Sequence, residues 1–168
     1  MSIPILIAFP LLGFLVMLQS AVVSRINLMQ GNADIILLVI LAWALQKRVD
    51  CAWYWAVISG LMINLVSALP LFIPLISYLL ANGFALLIKK RIGQIPYLAM
   101  LIATFVGTLI SLGMSWISLI LTANPIPFIQ AMNIIILPSL ILNILLSFLV
   151  YFLVTGLAEQ LYPQNLTT

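Results

Sequence analysis

Hydrophobic residues along this chain fall into six runs, which are separated by short polar or charged connections. A helix that crosses a membrane needs about 20 consecutive apolar residues. Five of the six runs approach or exceed that length. The pattern therefore predicts an all-α protein with six transmembrane helices in one bundle, over Ile3–Val23, Ile35–Leu45, Ala52–Leu69, Leu71–Ile88, Pro96–Leu121 and Gln130–Leu157.

The second run, Ile35 to Leu45, is too short to cross a membrane as a helix. At 1.5 Å per residue it covers only about half of a ~30 Å hydrocarbon core. Either the helix starts earlier, near Leu28, or it begins inside the membrane with Asp34 at its N-terminus. Asp34 would then cap free N–H groups, and an ionisable residue at membrane depth is a candidate functional residue. A simple N-cap at the interface is the interpretation that we favour from the sequence.

The third run carries a seam of mostly small residues. Ala56, Gly60, Asn64 and Ala68 recur at every fourth position, so a helix places them on one face. Small residues let a neighbouring backbone approach closely in lipid. Asn64 needs a hydrogen-bond partner there, because an unpaired amide in hydrocarbon is costly. These features predict that the third helix is the buried central helix.

Three further runs contain seams of small or polar residues at four-residue spacing. We expect most of these residues to serve helix packing rather than transport. The seam of the fifth helix is the longest and lacks a strongly polar side chain, so it is a candidate docking face for a partner. The alternative is that it packs on the first or sixth helix. The candidate residues on these seams include Ser77 and Ala85, Gly107 and Ser111, and Ser139, Asn143 and Ser147.

Composition supports a membrane protein that uses residues 1–168 as one polytopic domain. Hydrophobic residues make up 65% of the chain and charged residues 5%, whereas soluble domains carry about 25% charged residues. Basic residues are enriched on the cytoplasmic side of membranes. Placing Lys47-Arg48 and Lys89-Lys90-Arg91 there puts five of the six basic residues inside. Six spans then predict that both termini are cytoplasmic and that Arg25 and Asn124 are outside.

Residues for catalysis or metal binding are scarce. The chain has no His and a single Cys, so it offers no His/Cys metal site and no His-activated nucleophile. The three acids, Asp34, Asp50 and Glu159, fall in separate segments. We expect no enzyme activity and no cofactor. The basic residues lie at segment ends and serve topology, so we expect no nucleic-acid partner either.

The order of several motifs resembles the rod shape-determining protein MreD family. The motifs span nearly the whole chain and include Gly31-Asn32-Ala33-Asp34 before an apolar run that ends in Trp43-Ala44-Leu45. Asn64 stands where the family usually has Asp, and Ala33 where it often has Pro. The other matching motifs are Gln19-Ser20, Gly60 to Ser67 followed by Pro70, Tyr78-Leu79, the basic cluster after the fourth run, and Leu137-Pro138-Ser139-Leu140 with Asn143.

This resemblance implies a non-enzymatic membrane scaffold that partners MreC, a single-span protein with an extracytoplasmic domain. It also implies association with RodA, a class B penicillin-binding protein and MreB in cell-wall elongation at the cell membrane. The family's six-helix fold is similar to the S-components of energy-coupling-factor transporters. An S-component that binds a vitamin or metal ion is therefore the alternative function, and it predicts a pocket lined by polar groups. The oligomeric state, including a homodimer, stays open.

Overall fold

The computed structural model describes residues 3–21, 27–28, 30–47, 49, 52–67, 69–70, 72–122 and 126–162. This part of the chain contains six helices and one short antiparallel hairpin, so the predicted all-α class is confirmed. The elements are α1 (Ile3–Ala21), β1 (Asn27–Leu28), β2 (Gly31–Asn32), α2 (Ile35–Leu45), α3 (Ala52–Val66), α4 (Ile73–Ile92), α5 (Pro96–Leu121) and α6 (Phe128–Leu161).

The surface of the bundle is suited to a membrane rather than to water. The helices α4, α5 and α6 are each long and apolar enough to cross a bilayer. Large apolar side chains are widely exposed, including Leu65 at 87%, Leu121 at 79% and Ile129 at 74%. Soluble monomers rarely expose contiguous apolar patches of such extent. The chain is therefore a membrane protein with at least these three helices available as spans.

The central element of the bundle is α2. Every residue from Ile36 to Leu45 is buried, and α2 contacts each of the other five helices. A helix that is apolar on all sides lies in a protein core or in lipid, and the burial of α2 places it in the core of the bundle. At the far end of α2, Trp43 stacks on Trp55 of α3 with ring centroids 4.1 Å apart.

The prediction that the third helix is central is wrong. Only five residues of α3 are buried, and they lie in its first nine positions. Leu65 and Val66, at the end of α3, are exposed. The small-residue seam lets α3 approach α4 closely, but it leaves the opposite face of α3 uncovered.

The helix ends differ from prediction in ways that matter for the charged residues. The fourth helix was expected to end at Ile88, but α4 continues to Ile92 and holds Lys89, Lys90 and Arg91 in its last turn. Cations are favourable there because the C-terminus of a helix carries partial negative charge. The Lys89 ammonium also donates a hydrogen bond to the Val49 carbonyl oxygen at 3.0 Å. We call this side of the molecule, where α2 ends and α5 begins, the basic end.

The sixth helix begins at Phe128 and contains a π-helical turn over Met132–Ile136. The sequence predicts that Pro138 interrupts or bends this helix, and the π turn lies directly before it. Proline has no N–H group and its ring crowds the carbonyl four residues earlier. The Ile134 carbonyl therefore lacks its usual helical donor.

The predicted outside positions Arg25 and Asn124 lie outside the described residues.

Candidate functional site

A short hairpin precedes α2 in the chain. Asn27 pairs with Asn32, and Leu28 pairs with Gly31. The expectation that the second helix starts near Leu28 is therefore wrong. The alternative, a helix that begins at Ile35 with Asp34 at its N-terminus, is confirmed. We call the side of the bundle that carries this hairpin the hairpin end.

The hairpin segment is fixed to α6 by three backbone N–H groups at alternate positions. Gln30 donates to the Ile134 carbonyl oxygen at 3.2 Å, the acceptor that Pro138 leaves free. Asn32 donates to Ser139 Oγ at 3.0 Å, and Asp34 donates to Asn143 Oδ1 at 2.8 Å. Alternate N–H groups of an extended chain point to the same side. The segment thus satisfies these three backbone groups against one helix face.

Gly31 is required by the closeness of this contact. A Cβ atom at position 31 would lie 2.6 Å from the Ser139 backbone nitrogen and 2.7 Å from Pro138 Cβ. Neither atom belongs to the far end of a flexible side chain, so the backbones would have to separate. The Gly-Asn-Ala-Asp motif therefore has a physical meaning, which is close packing of the hairpin on the proline-containing turn of α6.

Two side chains cap the N-terminus of α2. Asp34 Oδ1 accepts a hydrogen bond from the Leu37 N–H at 3.0 Å. Gln19, near the end of α1, accepts from the Ile35 N–H at 3.0 Å and donates to the Ala33 carbonyl oxygen at 2.6 Å. The first N–H groups of a helix have no internal acceptor. These two caps allow α2 to begin within the bundle.

The Asp34 carboxyl group and the Asn143 amide extend this network to two further helices. The Tyr78 hydroxyl, from α4, lies 2.9 Å from both carboxyl oxygens of Asp34. The Asn143 side chain donates to Thr108 Oγ1, from α5, at 3.0 Å. Hydrogen bonds thus join α1, α2, α4, α5 and α6. We call the group Gln19, Asp34, Tyr78, Thr108, Ser139 and Asn143 the polar knot.

Of the predicted candidates, the structure brings Asp34, Ser139 and Asn143 together in the polar knot. Ser139, Asn143 and Ser147 are all buried on one face of α6, at the predicted spacing. Gln19 and Tyr78 were expected only as motif landmarks, and Thr108 was not singled out. The sequence did offer signals for two of them, namely a single amide near the end of α1 and a single tyrosine hydroxyl inside α4.

Gly60, Asn64 and Gly107 lie outside the knot. A Cβ atom at Gly60 would lie 2.8 Å from Leu75 Cα, which confirms a close helix contact between α3 and α4. Asn64 Oδ1 accepts from the Phe72 N–H at 3.1 Å, so it supports the α3–α4 turn rather than the seam between helices. Gly107 is buried.

The seam of α5 is partly covered by the chain itself. A Cβ atom at Gly107 would lie 2.8 Å from Leu41 Cδ1 and 3.5 Å from Ala81 Cβ. Gly107 therefore packs on α2 and α4, so this part of the seam is not free for a partner. Ser111 and Ser115, further along the seam, line a cleft instead.

The cleft has a volume of about 350 Å³ and lies at the hairpin end. It is bounded by the hairpin, the end of α3, the first turns of α4, the later part of α5 and the start of α6. Among the described residues of its lining, Asp34 is the charged one. The other polar side chains that line it are Gln19, Gln30, Asn32, Ser67, Ser77, Tyr78, Ser111, Ser115 and Ser139.

The described lining of this cleft is suited to hydrogen bonding. The described residues contain no group of three or more His, Cys, Asp or Glu side chains that could hold a metal ion. The carboxyl group of Asp34 is hydrogen-bonded to the Tyr78 hydroxyl, and the described residues of the lining include no other Asp or Glu and no Lys or His. No protein-family model, curated protein or solved structure matches the chain.

Proposed function

We propose that this protein is a non-enzymatic membrane scaffold of the bacterial cell-elongation machinery and partners an MreC-like single-span protein. The observation that carries the proposal is the polar knot. Motifs that are far apart in the sequence, namely Gln19, Asp34, Tyr78, Ser139 and Asn143, bond to one another or to the same hairpin. Because these residues converge on one place in the structure, the order of the motifs is better explained by a common structure than by chance.

The proposed topology uses six spans with both termini in the cytoplasm. The hairpin and α2 together form the second span, because α2 alone covers about half of a ~30 Å core. Lys47 follows α2, and Lys89 bonds to Val49 beside it, so the basic residues gather at one end. The positive-inside rule makes that end cytoplasmic. The hairpin end then faces outward, towards the extracytoplasmic domain of an MreC-like partner.

The chemistry of the knot supports a static role. The Asp34 carboxyl group is held by the Leu37 N–H and the Tyr78 hydroxyl. The Asn143 amide is held between Thr108 and the Asp34 N–H. Groups that are satisfied by one another stabilise a single arrangement. Such a bundle presents a fixed surface to RodA, a class B penicillin-binding protein or MreB.

One observation favours the second candidate, an S-component of an energy-coupling-factor transporter. That function predicts a pocket lined by polar groups, and the cleft beside Asp34 has such a lining. An S-component binds its vitamin or metal ion and delivers it through a transport complex. A scaffold carries no such ligand, so the two functions differ in whether the purified chain binds a vitamin or metal ion or binds a partner protein.

The direct test is reconstitution of the full chain in nanodiscs with an MreC-like protein. We expect saturable binding, measured by titration with a labelled partner. The control is an unrelated single-span protein of similar length, which should not bind. Absence of partner binding by the folded chain, together with saturable binding of a vitamin, would contradict the scaffold and establish the S-component.

A further inference from the structure

We propose that the cleft beside Asp34 binds a primary ammonium group, carried by a small soluble amine or by a phospholipid headgroup. This inference goes beyond the scaffold function and does not depend on the identity of the protein partner. It is based on the charge of the cleft, on the direction of its hydrogen-bond donors and on its size.

The charge of the lining is negative. Asp34 contributes a carboxyl group, and the described residues that line the cleft include neither Lys nor Arg. Among the described residues, Asp34 Oδ2 has Tyr78 as its hydrogen-bond donor. A carboxylate offers about four acceptor sites, so this oxygen retains capacity for a ligand. A cation is therefore favoured over an anion.

Three hydroxyl groups of the lining donate their protons within the protein. Ser77 Oγ donates to the Pro74 carbonyl oxygen at 2.9 Å, and Ser115 Oγ donates to the Ser111 carbonyl oxygen at 2.9 Å. The Tyr78 hydroxyl donates to Asp34. These oxygens retain only lone pairs for a ligand. Together with Asp34 Oδ2, they supply several acceptors to the inner cleft.

A primary ammonium group matches this lining because it carries one positive charge and three N–H donors. A quaternary ammonium group carries the same charge without donors, and it should bind poorly here. The volume of about 350 Å³ lies at the lower end of ligand pockets, which span about 300–1,000 Å³. This volume suits a small amine or the headgroup of phosphatidylethanolamine. Gln30 and Asn32, which are exposed, lie at the mouth.

Two matched probes test the proposal with the purified full chain. In detergent, thermal unfolding is followed while ethanolamine or choline is titrated. In nanodiscs, unfolding is compared between phosphatidylcholine alone and phosphatidylcholine with added phosphatidylethanolamine. A saturable rise of the unfolding temperature with ethanolamine but not choline identifies a soluble amine as sufficient. A rise only with phosphatidylethanolamine identifies the lipid headgroup. The proposal is overturned if ethanolamine and choline give equal responses and the two lipid compositions also give equal responses, or if no probe changes the unfolding temperature.

Two variants locate the binding site. Asp34→Asn keeps a capping side chain but removes the charge, and affinity for the responding amine should fall at least about tenfold, the scale of one charge-assisted hydrogen bond. Ser77→Ala removes one acceptor, and its control is Ser147→Ala, since both hydroxyls donate to the carbonyl three residues earlier. Ser77→Ala should weaken binding several-fold and Ser147→Ala should not. Equal effects of these two serine variants overturn the site even if Asp34→Asn does not fold.

Discussion

The helices α2 and α3 are neighbours in sequence but occupy opposite environments in the bundle. All residues of α2 from Ile36 onward are buried, although α2 has only eleven residues and no seam of small side chains. In α3, which has the seam, burial is confined to the first nine positions and Leu65 is 87% exposed. The shorter and more uniformly apolar helix therefore forms the centre.

The difference shows that a small-residue seam determines the distance between two helices and not how deeply either is buried. Gly60 brings the α3 backbone against Leu75 of α4, and this needs only one face of α3. Burial of α2 follows from another property, namely that its N-terminus is satisfied inside the protein by Asp34 and Gln19. Caps within the bundle allow a helix too short to reach both membrane surfaces.

The largest expected effect separates the two helices directly. Leu38→Ala in α2 should destabilise the protein by about 2–5 kcal/mol, towards the lower value because lipid solvates the unfolded side chain as well as the core does. Leu65→Ala in α3 removes the same atoms from an exposed position, and its effect should be within about 0.5 kcal/mol. Unfolding in mixed micelles measures both. Similar losses for the two variants would contradict the assignment of the central helix.

The second prediction concerns the contact between α3 and α4. Gly60→Leu should cost about 1–3 kcal/mol, because the new side chain meets the Leu75 backbone and overpacks the contact. Gly113→Leu in α5 is the matched control, since nothing lies within 4 Å of a Cβ atom there. The difference in unfolding free energy between these variants measures the closeness of the seam. A neutral Gly60→Leu would show that α3 is not held against α4.

The third prediction concerns the attachment of the hairpin, on which the burial of α2 depends. Asn143→Leu leaves the Asp34 N–H and Thr108 Oγ1 without their present partners. We expect a loss of about 1–2 kcal/mol, near the upper values measured for polar contacts between membrane helices. Ser147→Ala, one turn further along the same face, removes a hydroxyl that bonds only within α6. Hydrogen exchange at residues 30–37 should accelerate in Asn143→Leu and not in Ser147→Ala.

The smallest effect is expected at Asn64. Its amide oxygen accepts from the Phe72 N–H at an exposed turn, so water or a headgroup can replace it. Asn64→Leu should cost about 0.6 kcal/mol or less, the average of measured interhelical hydrogen bonds. Loss of partner binding at normal stability would instead show that Asn64 has a functional role.

The hydrophobic pattern predicts the positions of the helices along the chain well, but it predicts poorly how deeply each helix is buried in the bundle. The bounds of α2 and α5 match the predicted runs, because each run has a clear start signal: Asp34 is the N-cap of α2, and Pro96 occupies the first turn of α5, where proline is favoured. The spacing of Ser139, Asn143 and Ser147 correctly predicts one buried face of α6.

The contact between the hairpin segment and α6 could not be predicted from the sequence. It depends on the Ile134 carbonyl, freed by Pro138, meeting the Gln30 N–H from a distant part of the chain. Nothing in the local pattern of either segment specifies its partner. The prediction for the burial of α3 was wrong for a related reason. The small-residue seam shows that one face of α3 is packed, but it gives no information about the other faces.

The most direct test of these opposite environments is carbene footprinting of the unmodified protein in a bilayer. A diazirine reagent dissolved in the lipid core labels side chains that face lipid, and mass spectrometry then locates the labels. Heavy labelling of Leu61, Leu65 and Val66 in α3, with none between Ile36 and Leu45 in α2, is the predicted result. Labelling of α2 as strong as that of α3 would contradict the central position of α2.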